Sequence, residues 1–141
     1  MTGTDRADLV AQLTLHEGMR LKPYTDTVGK MTIGVGRNLT DVGITREEAL
    51  DLLSNDIDTC VTDLISFSWF VTLDPVRQRA LCDLRFNLGP RRFRGFVKML
   101  AAIEHGDFET AANELTASQW ALQVQQSRRM RLVSMLRTGV A

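Results

Sequence analysis

Apolar residues recur at two different periods along this chain, and the change between them marks its organisation. In residues 5–16, Leu9, Val10 and Leu13 lie one turn apart, which predicts a short helix with Thr4 or Asp5 as its cap. Gly18 then suits the end of that helix. The helical period is lost over residues 19–39. There Gly29, Gly34 and Gly36 interrupt a segment whose Tyr24, Val28, Thr32, Ile33 and Val35 favour strands. The pattern predicts a small antiparallel hairpin, turning within Asp26-Thr27-Val28-Gly29, followed by a loop from Leu39 to Gly43. From Thr45 the chain reads as helical to its end. Thr45 and Glu48 form a capping box, and Leu50, Leu53, Ile57, Val61 and Leu64 make a helical stripe. Ser66 to Thr72 is a connection with Trp69 and Phe70 packed. Asp74-Pro75 is an N-cap followed by Pro at the first helical position. Ala80, Leu81, Leu84 and Leu88 then face a core, and Gly89-Pro90 ends that helix. Further helices are expected at about 93–104, 107–116 and about 127–137.

The fold class is therefore α+β and mostly helical: one short helix, a small sheet near the N-terminus, then five or so helices. A length of 141 residues fits one domain with its own core. Cys60 and Cys82 both fall on apolar helix faces and are expected to be free thiols in the packing, as are the six methionines. His16 and His105 are far apart in sequence, so no metal site and no cofactor is expected. The first residues lack a basic start followed by an apolar run. No signal peptide and no membrane insertion are expected, and the chain would be made in the cytosol. Net charge is zero but unevenly spread. Residues 1–74 carry six Lys/Arg against twelve Asp/Glu, and residues 75–141 carry eleven against five. The basic half could attract an anionic polymer, or it is simply solvated helix surface.

The candidate chemistry is concentrated in residues 13–39. Glu17 stands at the predicted end of the first helix, Asp26 stands beside the hairpin turn nine residues later, and Thr32 lies on the returning strand. Two carboxylates in different surroundings are the minimal kit for glycoside hydrolysis. The negative end of the helix dipole and partial burial would favour the protonated form of Glu17, which suits a proton donor. Asp26 in a polar turn would stay ionised, and the Thr32 hydroxyl could hold a water beside it. Spacing alone does not single out these residues, since a Glu and an Asp nine apart are common.

The arrangement Glu17, eight residues, Asp26, five residues, Thr32, ending in Thr32-Ile33-Gly34-Val35-Gly36, closely resembles the phage-type lysozymes of glycoside hydrolase family 24. Glu17-Gly18, Arg20-Leu21, Tyr24 and Gly29 fit the same pattern. Leu73 to Leu81 and Phe86-Asn87-Leu88-Gly89 look like that family's central helix, and Gly95-Phe96, Trp120, Arg128 and Arg137-Thr138-Gly139 fall where its features fall. The resemblance implies a two-lobed, lysozyme-like single domain over residues 1–141. Its small β-containing lobe would span about 17–45 and its connecting helix about 45–65. The helical lobe would span about 66–141 and include helix 5–16. It implies cleavage of the β-1,4 bond between N-acetylmuramic acid and N-acetylglucosamine, with inversion. Glu17 would be the general acid, and Asp26 and Thr32 would orient the water. Arg128 would contact the catalytic glutamate, favouring its ionised form, while Gly36, Arg37, Phe86 and Asn87 would line the substrate site. The chain departs from the family at Arg37, where a His is frequent and makes a structural ion pair, and at Asn38, where an apolar residue is usual.

The implied partner is bacterial peptidoglycan, reached as a monomer after release through a holin, with no nucleic acid. Competing readings are a lytic transglycosylase, which needs an acid but no water-positioning carboxylate, and a non-catalytic wall-binding module on a degenerate fold. A nucleic-acid binder using the basic half lacks any recognised motif.

Overall fold

The computed structural model describes residues 2–141. The chain divides into two compact units, the first ending at Asp51 and the second running from Leu52 to Ala141.

The first unit opens with helix α1 (Gly3–Glu17). Its N-cap is Thr2 rather than Thr4 or Asp5. The Thr2 hydroxyl accepts from the Asp5 amide, and the Asp5 carboxylate accepts from the Thr2 amide in return. Asp5 is thus the third helical residue of a capping box, which adds two satisfied amides that a cap at Asp5 would not. Gly18 ends the helix, its amide donating to the Thr14 carbonyl. Three antiparallel strands follow: β1 (Arg20–Thr25), β2 (Met31–Gly34) and β3 (Arg37–Asn38), in the order β1-β2-β3. Tyr24 pairs with Thr32 and Arg20 with Gly34, so β1 carries two extra residues between these pairs. Pro23 lies in that stretch and has no amide to give to a ladder. The third strand, only two residues long, was beyond the reach of periodicity.

Helix α2 (Arg46–Leu64) starts at the expected capping box: the Glu48 amide donates to Thr45 Oγ1, and the Thr45 amide donates to Glu48 Oε2. The second unit contains the hydrophobic core. A 3-10 turn at Phe70–Thr72 leads into α3 (Pro75–Leu88), whose Asp74 cap accepts from the Val76 and Arg77 amides. Ala80, Leu81, Leu84 and Leu88 of α3 are buried as expected. The expected helix at 93–104 is two helices, α4 (Pro90–Arg94) and α5 (Val97–Glu104), divided at Gly95-Phe96. Then come α6 (Phe108–Thr116), α7 (Gln119–Gln123) and α8 (Gln126–Thr138). Seven helices therefore follow the sheet. α7 has only five residues, too few to show a period. Phe93, Met99, Ile103, Leu115, Trp120, Leu132 and Leu136 close the core.

Cys60 is buried and Cys82 half-buried, and both are free; burial pushes each thiol up from its ordinary pKa, which keeps them unreactive. The methionines are not all packing. Met99 and Met135 are buried, but Met19, Met31 and Met130 are exposed. No helix among the described residues is long and apolar enough to cross a membrane.

Candidate active site

Five of the residues singled out from sequence lie in the first unit. Glu17 is the last residue of α1, Asp26 follows β1, Thr32 is on β2, and Gly36 and Arg37 form the β2–β3 turn and the start of β3. Among the described residues of this unit, Thr32 is the only buried one, at 4% exposure. A hydroxyl in that position needs hydrogen-bond partners, because burying it unpaired is costly.

The β1–β2 turn supplies them. Asp26 Oδ1 accepts from the Val28 amide at 3.0 Å and the Lys30 amide at 2.8 Å, fixing the carboxylate in the turn it caps. The Asp26 amide donates to the Lys30 carbonyl at 2.8 Å. That same carbonyl accepts the Thr32 hydroxyl at 3.1 Å. The backbone of Lys30 thus ties Asp26 to Thr32. With its proton given to Lys30, the Thr32 oxygen keeps lone pairs free to accept from another donor. Oδ2 of Asp26 has no hydrogen-bond partner among the described residues and is available in the same way.

Glu17 is exposed, not partly buried as expected. Its carboxylate instead lies against Gly36. A Cβ built on Gly36 would meet Glu17 Oε2 at 3.1 Å and Cδ at 3.3 Å, and the backbone there has φ +70°. Only glycine has both the free space and the conformational freedom for this approach.

Beside Gly36, Arg37 is engaged in an unexpected way. Its two terminal nitrogens donate to the two carboxylate oxygens of Glu48 at 2.8 and 2.7 Å, and Nη1 also donates to the Gly43 carbonyl at 3.2 Å. Hydrogen bonding from Arg37, then the Thr45 amide, pulls the Glu48 carboxyl down to about 2. The position where the family frequently has His thus carries an ion pair of its own, Arg37 with Glu48. Asn38 also has a local role, its Oδ1 accepting from the Asp41 amide.

The remaining site candidates lie in the second unit. Phe86 is 47% exposed on the wall of an apolar groove of about 640 Å³ that Leu53, Ile57, Val61 and Cys82 also line. Asn87 is not a free polar group. It accepts from the Trp120 indole at 2.7 Å, so the buried tryptophan belongs to the core while its N–H reaches a polar depression shared by Asn87, Arg92, Gln123 and Arg128. Arg128 donates to the Asp83 carboxylate through Nε and Nη2. Arg94 pairs with Asp63, which Arg85 also holds. Those two guanidiniums, Arg85 foremost, lower the Asp63 carboxyl below its ordinary range. No group of His, Cys, Asp and Glu able to hold a metal ion occurs among the described residues.

Sequence reasoning missed Lys30, which acts through its backbone and carries no side-chain signal. It also missed Glu48 as the partner of Arg37, although the capping box had already marked that residue.

The phage lysozyme family profile matches residues 14–133. The endolysin of Salmonella phage P22 is 34% identical over 112 residues, covering 74% of this chain and 75% of its own. The endolysin of Acyrthosiphon pisum secondary endosymbiont phage 1 is 36% identical, covering 70% of this chain and 68% of its own. A probable T4-type lysozyme of Dictyostelium discoideum is 28% identical over 94% of this chain and 95% of its own. With a family match over most of its length and relatives above 30% identity, the chain belongs to the phage lysozyme family and is a lysozyme.

Proposed function

We propose that this lysozyme hydrolyses the β-1,4 bond between N-acetylmuramic acid and N-acetylglucosamine in bacterial peptidoglycan, with Glu17 as general acid and Asp26 and Thr32 holding the attacking water. The observation that carries the reading is the Lys30 backbone, which binds Asp26 and Thr32 into one unit while leaving an acceptor site on each. A water that donates one hydrogen to Asp26 and the other to Thr32 has both lone pairs free, so one can be aimed at the sugar's anomeric carbon. Asp26 takes its proton as attack proceeds. Glu17 gives its own proton to the departing glycosidic oxygen, and the C–O bond breaks as the new one forms. A single displacement of this kind inverts the anomeric configuration.

In this reading the enzyme works as an endolysin on the cell wall, is made in the cytosol and reaches its substrate through a holin-formed lesion. Asn87, Phe86 and Arg128 would meet the polymer or support the site from the helical lobe.

Digestion of purified peptidoglycan followed by mass spectrometry of the fragments tests the reaction. Reducing N-acetylmuramic acid ends are expected. Ends carrying the 1,6-anhydro group would indicate a lytic transglycosylase, and binding without fragments would indicate a wall-binding module.

A further inference from the structure

We infer that Arg37 is a positioning residue for the proton donor, acting through its bidentate pair with Glu48 on the turn that seats the Glu17 carboxylate. The inference rests on the proposed role of Glu17.

The sequence of contacts is short and lies wholly within residues 17–48. The Glu17 carboxylate lies 3.1 Å from the place a Cβ on Gly36 would occupy. Gly36 belongs to the turn between β2 and β3, and β3 is only Arg37–Asn38, joined to β2 through the pairs Thr32–Asn38 and Ile33–Arg37. A two-residue strand at a sheet edge has few backbone bonds of its own to hold a turn in place. Arg37 adds a second anchor. Its fork grips both oxygens of Glu48, the third residue of α2, and the Gly43 carbonyl lies on the same guanidinium nitrogen. Glu48 is itself fixed by the Thr45 amide at 2.8 Å. The turn beneath Glu17 is therefore clamped to the first turn of a 19-residue helix rather than left to the sheet edge.

Planar, two-point pairing is what makes this a positioning device. An arginine fork fixes distance and angle together, which a lysine ammonium cannot do. The lowered pKa of Glu48 also keeps its carboxyl, and so the clamp, charged at neutral pH.

The test compares Arg37→Met, Arg37→Lys and Glu17→Gln in a reducing-end assay on purified peptidoglycan, run well below each variant's melting temperature. A donor displaced by a fraction of an ångström is expected to lower kcat about tenfold in Arg37→Met. KM should stay within twofold, and Arg37→Lys should recover part of the loss. Wild-type kcat in folded Arg37→Met would overturn the inference. So would a raised KM at unchanged kcat, which would make Arg37 a substrate contact. Should Arg37→Met fail to fold, Glu48→Gln removes the clamp's charge while keeping an acceptor for the Thr45 amide, and the same kcat loss is expected. Wild-type kcat there overturns the inference equally. Turnover retained by Glu17→Gln would instead overturn the acid assignment and take this inference with it.

Discussion

Replacing Gly36 by Ala separates backbone strain from disturbance of Glu17, the proposed proton donor, because the chain carries its own control two residues earlier. Gly34 and Gly36 both have left-handed backbones, at φ +67° and +70°. An alanine forced into that region costs about 1–2 kcal/mol at either site. The surroundings differ. An added methyl at Gly34 meets nothing within 4 Å, whereas at Gly36 it meets Glu17 Oε2 at 3.1 Å. Ordinary contact begins near 3.4 Å, so the carboxylate must give by about 0.3 Å. If a displacement of about 1 Å costs roughly a hundredfold in rate, a shift of this size costs about three- to tenfold. The two variants should therefore lose similar stability in urea titrations, while only Gly36→Ala loses kcat in the reducing-end assay. Gly34→Ala should stay within twofold of wild type. Equal kcat losses in the two would refute the placement of the Glu17 carboxylate over Gly36.

Other outcomes follow from contacts elsewhere in the chain. Glu48 titrates lower in the folded chain, about 2 against an ordinary 4.5, so its pairing stabilises the fold above the ordinary value and is lost as pH falls through the folded one. The melting-temperature gap between wild type and Glu48→Gln should be full at pH 6 and shrink between about pH 4.5 and pH 2; a gap that widens on acidification would contradict the pairing. Arg77 donates to the Leu136 and Arg137 carbonyls at the end of α8 and to Asp74, and its guanidinium lies 3.7 Å from the Phe108 ring centroid. Arg77→Met should cost about 2–4 kcal/mol in chemical denaturation, and a loss under half of the lower figure would mean these contacts are replaceable. Asn87→Ala leaves the indole N–H of Trp120 without its partner and should destabilise by about 1–3 kcal/mol, with a blue-shifted tryptophan emission if water does not take the vacated place.

What could be read from the chain in advance was what is encoded over three or four residues. Asp74-Pro75 and Thr45–Glu48 specify helix starts through contacts between positions three apart, and both are found as read. Thr2-x-x-Asp5 carries the same signal, two residues ahead of the Thr4 or Asp5 start that the apolar period suggests. The hairpin turn was legible because Asp26 and Gly29 have preferences of their own. Pairings across the chain were not. Arg37 meets Glu48 eleven residues on, and Arg85 meets Asp63 22 residues back. Nothing local distinguishes these arginines from solvated ones. The sequence pattern puts Asn87 at the substrate site and Arg128 against the catalytic glutamate, and it gives no sign of the protein partners the two side chains have, Trp120 and Asp83. For the proposed catalytic carboxylates, Glu17 and Asp26, spacing offers candidates and the Gly-framed pattern narrows them. The coupling of Asp26 to Thr32 runs through the Lys30 main chain, which has no side-chain signature in the sequence.

The most direct test of the central claim is the turnover of purified peptidoglycan by Glu17→Gln, its fold verified by circular dichroism against wild type. Glutamine keeps the size of the side chain but has no proton to give, and loss of the general acid is expected to lower kcat by at least about 10²–10⁴-fold with little change in melting temperature. A folded Glu17→Gln enzyme turning over within tenfold of wild type would contradict the account.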